Sequence, residues 1–175
     1  MSKWLLWPLV ALTVVVVLAL LATAWGAILP ANHRATRTAT YAQPPAAVWA
    51  VIADLPGQSR WRPDVPKIER LADRNGHEVW WEGVGKSGVP FETLESQPPT
   101  RLVRRIVDDG LPFGGTWTMV LTPEGAGTRL AITEDGVVRN PFFRFVSHVV
   151  LGTTRTMDIY LRNLGKHFGE EVTPR

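Results

Sequence analysis

Glu134 is the residue whose position in the sequence best suits acid–base chemistry. Apolar and polar residues alternate before it, so Leu130, Ile132 and Glu134 share one face of a predicted strand. Asp135 then faces the other way. A carboxylate on an apolar face is poorly solvated, which raises its pKa and suits it to donate or accept a proton. The alternative is an ion pair or a cap at the end of the strand, with Arg139 as the partner.

Tyr160 and a pair of arginines are the next candidates. Tyr160 can hydrogen-bond the carbonyl of a ligand, or its hydroxyl can simply lie at the mouth of a cavity. Arg104 and Arg105 are adjacent in a predicted strand, so one of the two must lie on its inner side. We expect that arginine to extend its charged end to water or to pair with a carboxylate.

Residues for several other kinds of chemistry are absent or scattered. The chain has no cysteine, and its four histidines lack the spacing of a metal site. There is no G-x-S-x-G nucleophile motif. The segment Gly83 to Gly88 is too short for a phosphate loop and is predicted to be a hairpin turn. The sequence therefore predicts no metal or other cofactor. We expect these histidines to be solvated surface residues: His33, His77, His148 and His167.

The charge of the chain argues against a nucleic-acid partner. The formal net charge is +3, from 19 basic and 16 acidic residues. A nucleic-acid footprint requires basic residues clustered on one face or along one segment. No such cluster is visible in the sequence, so the sequence predicts no nucleic-acid partner.

The first 30 residues predict a membrane anchor, and residues 31–175 a separate domain. From Trp4 to Leu29 the sequence is 26 residues without a charge, and a bilayer-spanning helix needs about 20. Trp4, Trp7 and Trp25 lie near the ends of this run, where indoles prefer the membrane interface. The alternative is a cleaved signal peptide, since Ala22-Thr23-Ala24 fits a cleavage pattern. We expect a single-pass protein; the side on which the domain lies is left open.

The sequence of residues 31–175 predicts an α+β architecture. Turn residues separate short alternating segments, which is typical of an antiparallel meander. The predicted order is one strand, two short helices, six strands and a long helix. Pro44 and Pro45 mark the start of the first short helix, and Leu55-Pro56-Gly57 marks its end. The predicted strands are Arg34 to Ala42, Lys67 to Ala72, His77 to Val84, Val89 to Ser96, Arg101 to Asp108, Thr116 to Pro123 and Thr128 to Val137.

The C-terminal segment predicts one helix with an apolar stripe. Asn140 is a suitable N-cap and Pro141 a suitable first residue, and the helical period continues to about Gly169. A helix with one apolar side must cover a large partner, and the sheet is the available one. The stripe consists of Phe142, Val146, Val149, Thr153, Met157, Tyr160 and Leu164.

These elements resemble the START-like (SRPBCC) superfamily of polyketide cyclase/dehydrase and lipid-transport domains. The resemblance lies in "PPAAVWAVIADLPGQSRWRPDV", "ESQPPTRLVRRI", "GGTWTMVLTPEGAGTRLAITEDGVVRNP" and the last helix. It implies a helix-grip fold, in which a curved antiparallel sheet holds the long C-terminal helix with a cavity between them. The N-terminal apolar segment is a departure from the simplest members.

The resemblance also implies a ligand and a site. Trp61 would turn its ring inward, as core or cavity wall, while Arg60 and Arg62 face water. We expect a membrane-anchored domain that binds a hydrophobic or lipid-like small molecule. The alternatives are a cyclase- or dehydratase-type enzyme that uses Glu134 or Tyr160, and a protein-interaction module, because a fold does not fix a function. The expected ligand-binding residues are Trp61, Trp117, Met119, Ile132, Glu134, Val149, Thr153, Met157 and Tyr160.

Overall fold

The structure is a computed structural model that describes residues 3–85, 88–107 and 110–175. The end of the strand predicted to reach Asp108, and the Lys86–Ser87 part of the predicted hairpin turn, lie outside these residues. The helices are α1 (Lys3–Ile28), α2 (Pro45–Ala53), α3 (Gln58–Trp61), α4 (Pro141–Phe145) and α5 (Arg155–His167). The strands are β1 (Asn32–Tyr41), β2 (Ile68–Arg70), β3 (Val79–Glu82), β4 (Val89–Gln97), β5 (Arg101–Ile106), β6 (Phe113–Glu124) and β7 (Gly127–Val138).

The seven strands form one curved antiparallel sheet in the order β1-β7-β6-β5-β4-β3-β2. Strands β2 to β7 follow one another as a meander, and β1 pairs with β7 along its whole length. The α+β helix-grip prediction is confirmed. It holds because turn residues and side-chain alternation are both local signals.

The first short helix starts at the predicted residue and ends just before the predicted turn. Pro45 is the first residue of α2, where a missing N–H costs little. Trp61 at the end of α3 is buried, as expected, and Arg60 is exposed. These helices close one end of the sheet, since Val48, Ile52 and Trp61 belong to its core.

The single C-terminal helix predicted from Asn140 to Gly169 is interrupted. Asn140 caps α4, as predicted, by accepting a hydrogen bond from the Phe143 N–H at 3.2 Å. A π-helical turn, Val146–Leu151, follows α4. Gly152 then takes a φ of 77°, a left-handed conformation that favours glycine and ends the helix. The predicted stripe is therefore continuous only within α5.

The core lies between α5 and the inner face of the sheet. Met157, Leu161 and Leu164 are fully buried there. The Tyr41 hydroxyl on β1 donates to the Leu161 carbonyl at 2.9 Å, which satisfies both groups inside the core. Burial raises the pKa of Tyr41 further above its usual range. This packing fixes α5 across β1, β6 and β7.

Helix α1 extends away from this core but is held at its last turn. Its apolar span Leu6–Ile28 is long enough to cross a membrane. Gly26 lies against α4, where an added Cβ would stand 1.8 Å from the Pro141 carbonyl oxygen. The Trp25 and Phe145 rings meet with centroids 6.0 Å apart. Arg144 donates to the Gly26 and Leu29 carbonyls at 3.3 and 3.1 Å.

Candidate functional site

The inner face of the sheet carries a buried arginine cluster, defined here as Arg62, Glu82, Arg104 and Tyr160. Glu82 lies two residues after Trp80 on β3, so the two side chains share a face. The Trp80 indole N–H donates to Glu82 Oε1 at 3.1 Å. Arg104 lies on β5, and Tyr160 approaches from α5. The sheet, α5 and the end of α3 therefore meet at this point.

Arg62 turns back into the domain at the end of α3. Its Nη1 and Nη2 atoms donate to the two oxygens of Glu82 at 3.0 Å each. Its guanidinium carbon lies 5.3 Å from the centre of the Tyr160 ring. The prediction that Arg62 faces water is wrong, because its carboxylate partner lies on a strand 20 residues later. Burial would lower the pKa of Arg62, but the charges of Glu82 and Tyr160 raise it overall.

Arg104 is a buried cation without an adjacent carboxylate. It is 7% exposed, and its guanidinium carbon lies 4.9 Å from the centre of the Trp80 ring. In residues 3–85, 88–107 and 110–175, no carboxylate lies within ion-pair distance of it, and its Nε atom has no hydrogen-bond partner. Burial lowers the pKa of Arg104, against the effect of Tyr160 and Glu82. A guanidinium nevertheless stays charged in proteins, so the expected carboxylate partner is missing from these ranges.

Tyr160 provides a second unpaired polar group. Its hydroxyl is buried and has no hydrogen-bond partner within the described part of the chain. Its ring meets Trp61 and Trp117 edge-on, with centroids 5.1 and 5.6 Å apart. Burial raises the pKa of Tyr160, and the positive charges of Arg104 and Arg62 partly offset this. The group therefore remains a neutral phenol that can donate a hydrogen bond.

A pocket of about 300 Å³ opens beside Arg104. This is the lower end of the volume range of small-molecule sites, roughly 300–1,000 Å³. One wall is the end of α2, a second is the turn before β3, and the third is formed by β4 and β5. None of the nine predicted ligand-binding residues lines it. The lining residues are Ala53, Gly76, His77, Glu78, Thr93, Leu94, Glu95, Ser96, Leu102 and Arg104.

The pocket and the predicted ligand-binding residues are neighbours in the sheet register. Leu102 pairs with Met119, which pairs with Ile132. Arg104 pairs with Trp117, and Trp117 pairs with Glu134. The β5 wall of the pocket therefore continues directly into the inner face that the sequence predicts as the site.

Glu134 points inward, as predicted, but its partner is His33. Glu134 Oε1 lies 3.5 Å from His33 Nε2, whereas Arg139 Nη1 donates to the Leu111 and Phe113 carbonyls at 3.1 Å each. The expected pairing with Arg139 is thus replaced. His33, His77 and His148 are half-buried, so the expected surface position is wrong for these three, and only His167 is exposed. His33 pairs in register with Gly136, where an added Cβ would stand 2.3 Å from the His33 ring.

Burial raises the pKa of Glu134, and the nearby His33 and Trp117 side chains partly offset this. The Glu134 Oε2 atom has no hydrogen-bond partner within the described ranges. A carboxyl with a raised pKa is better suited to donate a proton than one with the usual pKa. The same ranges contain no group of three or more His, Cys, Asp or Glu residues that could hold a metal ion.

The raised pKa gives Glu134 a measurable effect on stability. A carboxyl whose folded pKa is raised binds its proton more tightly in the folded state, so stability falls as pH rises from the unfolded to the folded pKa. We expect Glu134→Gln to remove this fall and to be more stable than the unchanged chain at neutral pH. Denaturant unfolding across pH 4–8 measures the difference. A Glu134→Gln curve parallel to that of the unchanged chain would contradict the expectation.

The structure brings most of the predicted site residues together. Glu134 joins their cluster through Trp117, its register partner on β6. Val149 and Thr153 lie apart: Val149 is 53% exposed on the π-helical turn, and Thr153 precedes α5. Val149 and Thr153 were predicted to bind ligand because they lie on the stripe of one continuous helix, and the structure does not contain that helix. The residues in or against one buried cluster are Trp61, Trp117, Met119, Ile132, Met157 and Tyr160.

Sequence reasoning missed the inward direction of Arg62 and the roles of Trp80 and Glu82. A usable signal was present, since both charged residues follow tryptophans, in "RWR" and "WWE". A charged residue beside a tryptophan is a candidate for a buried pair, because tryptophan is highly buried on average.

Residues 32–169 match the family described as polyketide cyclase/dehydrase and lipid transport. The chain therefore belongs to this family, as its resemblance at the level of sequence indicated. A search of curated proteins finds no match. The family and the fold support a ligand-binding domain.

Solved structures show the same fold. The Zhui aromatase/cyclase from Streptomyces has a TM-score of 0.60 and 20% identity, over 76% of this chain and 91% of that one. Norcoclaurine synthase from Thalictrum flavum has a TM-score of 0.59 and 14% identity, over 80% of this chain and 88% of that one. The Mll3558 protein from Rhizobium loti has a TM-score of 0.52 and 26% identity, over 79% and 97%.

Proposed function

We propose that this chain is a membrane-anchored domain that binds a hydrophobic or lipid-like small molecule carrying an anionic or carbonyl oxygen. The observation that carries the proposal is Arg104, a buried cation that lines a pocket without an ion-pair partner among the described residues. Burying an unpaired charge costs several kcal/mol in effective terms. A ligand oxygen would supply the missing partner.

The buried arginine cluster favours an anionic group over a cationic one. The two carboxylates in the pocket lining, Glu78 and Glu95, already pair with Arg70 and Arg101 at 3.4 and 3.0 Å. Glu82 is already engaged by both terminal nitrogens of Arg62, so the cluster holds two guanidinium groups around one buried carboxylate. Asp64, 3.5 Å from Arg62, is 42% exposed and screened by water. Charge-assisted hydrogen bonds from guanidinium groups to carboxylate oxygens are about twice as strong as neutral ones. The Tyr160 hydroxyl is a further donor on the same face.

The apolar part of the ligand would lie along the inner face of the sheet. Leu102 of the pocket wall pairs with Met119, which pairs in turn with Ile132, and Arg104 pairs with Trp117. Trp61 and Tyr160 cover these strands from α3 and α5. Burial of apolar ligand surface here contributes roughly 25 cal/mol per Å². Entry of a long apolar chain would require Trp61 and Tyr160 to move, because both are buried in the structure.

Helix α1 supports a tether to the membrane. Its 23-residue span Leu6–Ile28 exceeds the roughly 20 residues that a bilayer needs. Its exposed apolar side chains do not pack into the core of the domain. A tether suits a lipid-like ligand, since such a molecule resides in the bilayer rather than in water.

Native mass spectrometry of the full chain extracted in detergent tests both halves of the proposal. We expect an intact mass that includes residues 1–30, and a second peak heavier by one bound small molecule. In Arg104→Gln the fraction of protein that carries the bound molecule should be at least tenfold lower. Arg129→Gln, on the outer face of β7, is the matched control and should retain it. Equal occupancy in the two variants would exclude Arg104 as the ligand contact, and a chain that begins at Trp25 would exclude the anchor.

A second candidate is an enzyme of the same fold. The contact of 3.5 Å between His33 and Glu134, together with the raised pKa of Glu134, favours it. Two adjacent groups that exchange protons suit a cyclisation or dehydration step. Turnover of a co-purified ligand that is lost in Glu134→Gln but not in Asp135→Asn would support this candidate.

A further inference from the structure

The segment after the sheet presents an apolar surface to the outside of the domain. Along α4 and the π-helical turn, five large apolar side chains are 40–64% exposed. The segment Pro141–Leu151 forms a continuous apolar helix of its own, although it is too short to cross a membrane. We call this surface the apolar shelf: Phe142, Phe143, Val149, Val150 and Leu151.

The apolar shelf has a fixed position relative to α1. Gly26 allows the last turn of α1 to contact the Pro141 carbonyl closely, and Trp25 lies against Phe145. Arg144 donates to the carbonyls of Gly26, Leu29 and Val138. A cation at the C-terminal end of a helix satisfies its last carbonyls and complements its dipole. The shelf therefore lies beside the last turn of α1.

This position determines what covers the shelf. If α1 spans a bilayer, its last turn lies at the membrane surface, and the shelf lies at the same depth. The exposed side chains of α1 and those of the shelf would then form one continuous apolar surface. Amphipathic helices at this level bury their apolar side by about 5–10 Å at the boundary of headgroups and acyl chains.

We propose that the apolar shelf inserts into the interfacial region of the same bilayer that α1 spans. The inference rests on the proposed membrane anchor and adds a second contact, which fixes the orientation of the domain against the membrane. The domain is then held on the lipid surface by α4 and the π-helical turn, rather than moving freely on a linker. The short connection between α1 and β1, from residue 29 to residue 31, is consistent with such a close approach.

Single-cysteine labelling tests this arrangement, because the chain has no cysteine of its own. The variants are Val150→Cys on the shelf, Val14→Cys in the middle of α1, and Ala126→Cys at the turn between β6 and β7. The turn lies at the end of β7 opposite to its α4 end, so it is the matched control. Each variant, as the full chain in phosphatidylcholine vesicles, carries a nitrobenzoxadiazole fluorophore. Lipids with a nitroxide near the headgroup or near the middle of the acyl chain serve as quenchers.

We expect the fluorophore at residue 150 to be quenched several-fold more strongly than the fluorophore at residue 126. The nitroxide near the headgroup should quench it more strongly than the nitroxide in the middle of the acyl chain. Val14→Cys should be quenched most by the deep nitroxide. Deep quenching at residue 14 with no quenching at residue 150 would overturn the shelf proposal and leave the anchor intact. No quenching at either residue would overturn the anchor as well. Concentration-dependent self-quenching at residue 150 without lipid quenching would show that a second copy of the chain covers the shelf.

Discussion

Replacing Glu82 with alanine is expected to destabilise the folded domain by about 3–5 kcal/mol, the usual cost of removing one partner of a buried ion pair. Glu82 accepts hydrogen bonds from both terminal nitrogens of Arg62 and from the indole N–H of Trp80. Its removal leaves Arg62 and Arg104 buried without a carboxylate between them. Denaturant unfolding of the full chain in detergent, followed by tryptophan fluorescence, measures the loss.

Glu69→Ala is the control for this prediction. Glu69 pairs with Lys67 at 2.9 Å, but the two side chains are 56% and 60% exposed. Exposed pairs contribute about 0–1 kcal/mol. The double variant Arg62→Met with Glu82→Met should recover part of the loss, since no unpaired partner of Glu82 is then left at position 62. Equal small losses in Glu82→Ala and Glu69→Ala would show that Arg62 is not held by a buried pair.

The sheet could be predicted from the sequence because its signals are local. In the middle of β6 and β7 buried residues alternate with less buried ones, as at Met119 and Leu121 and at Leu130 and Ile132. The turn between the two strands contains Gly125 with a φ of 60°. The same alternation placed Glu134 on the inner face. Its partner could not be predicted, because the contact with His33 depends on the pairing of the first strand with the last.

The buried arginine cluster could not be predicted either, because it too depends on contacts between residues that are distant in the sequence. A charge beside Trp61 was assigned to water by its residue type, which is the usual position of an arginine. The contact that reverses this assignment comes from Glu82 on β3, which lies 20 residues later in the sequence and meets Arg62 only through tertiary packing. The sequence predicted that either Arg104 or Arg105 faces inward, since strand alternation allows only one of two neighbours to do so. The structure shows that the inward residue is Arg104.

The C-terminal segment shows the limit of periodicity as a signal. The apolar positions keep a helical period on both sides of Gly152, so the pattern alone predicts one helix. The break depends on the positive φ at Gly152 and on the contact of α4 with α1. The second of these is a tertiary contact between the two ends of the chain, and helical period contains no information about it.

The two halves of the predicted helix are therefore expected to respond very differently to the same substitution. Leu164 on α5 is 0% exposed in the core, whereas Leu151 at the end of the π-helical turn is 48% exposed. Leu164→Ala should cost about 2–5 kcal/mol, because it removes buried methyl groups and leaves a cavity. Leu151→Ala should change the free energy of unfolding by no more than about 0.5 kcal/mol. Denaturant unfolding of the full chain in one detergent compares the two. Similar losses for both leucines would mean that the whole segment packs on the sheet as one helix, and the apolar shelf would then have no free surface to offer a bilayer.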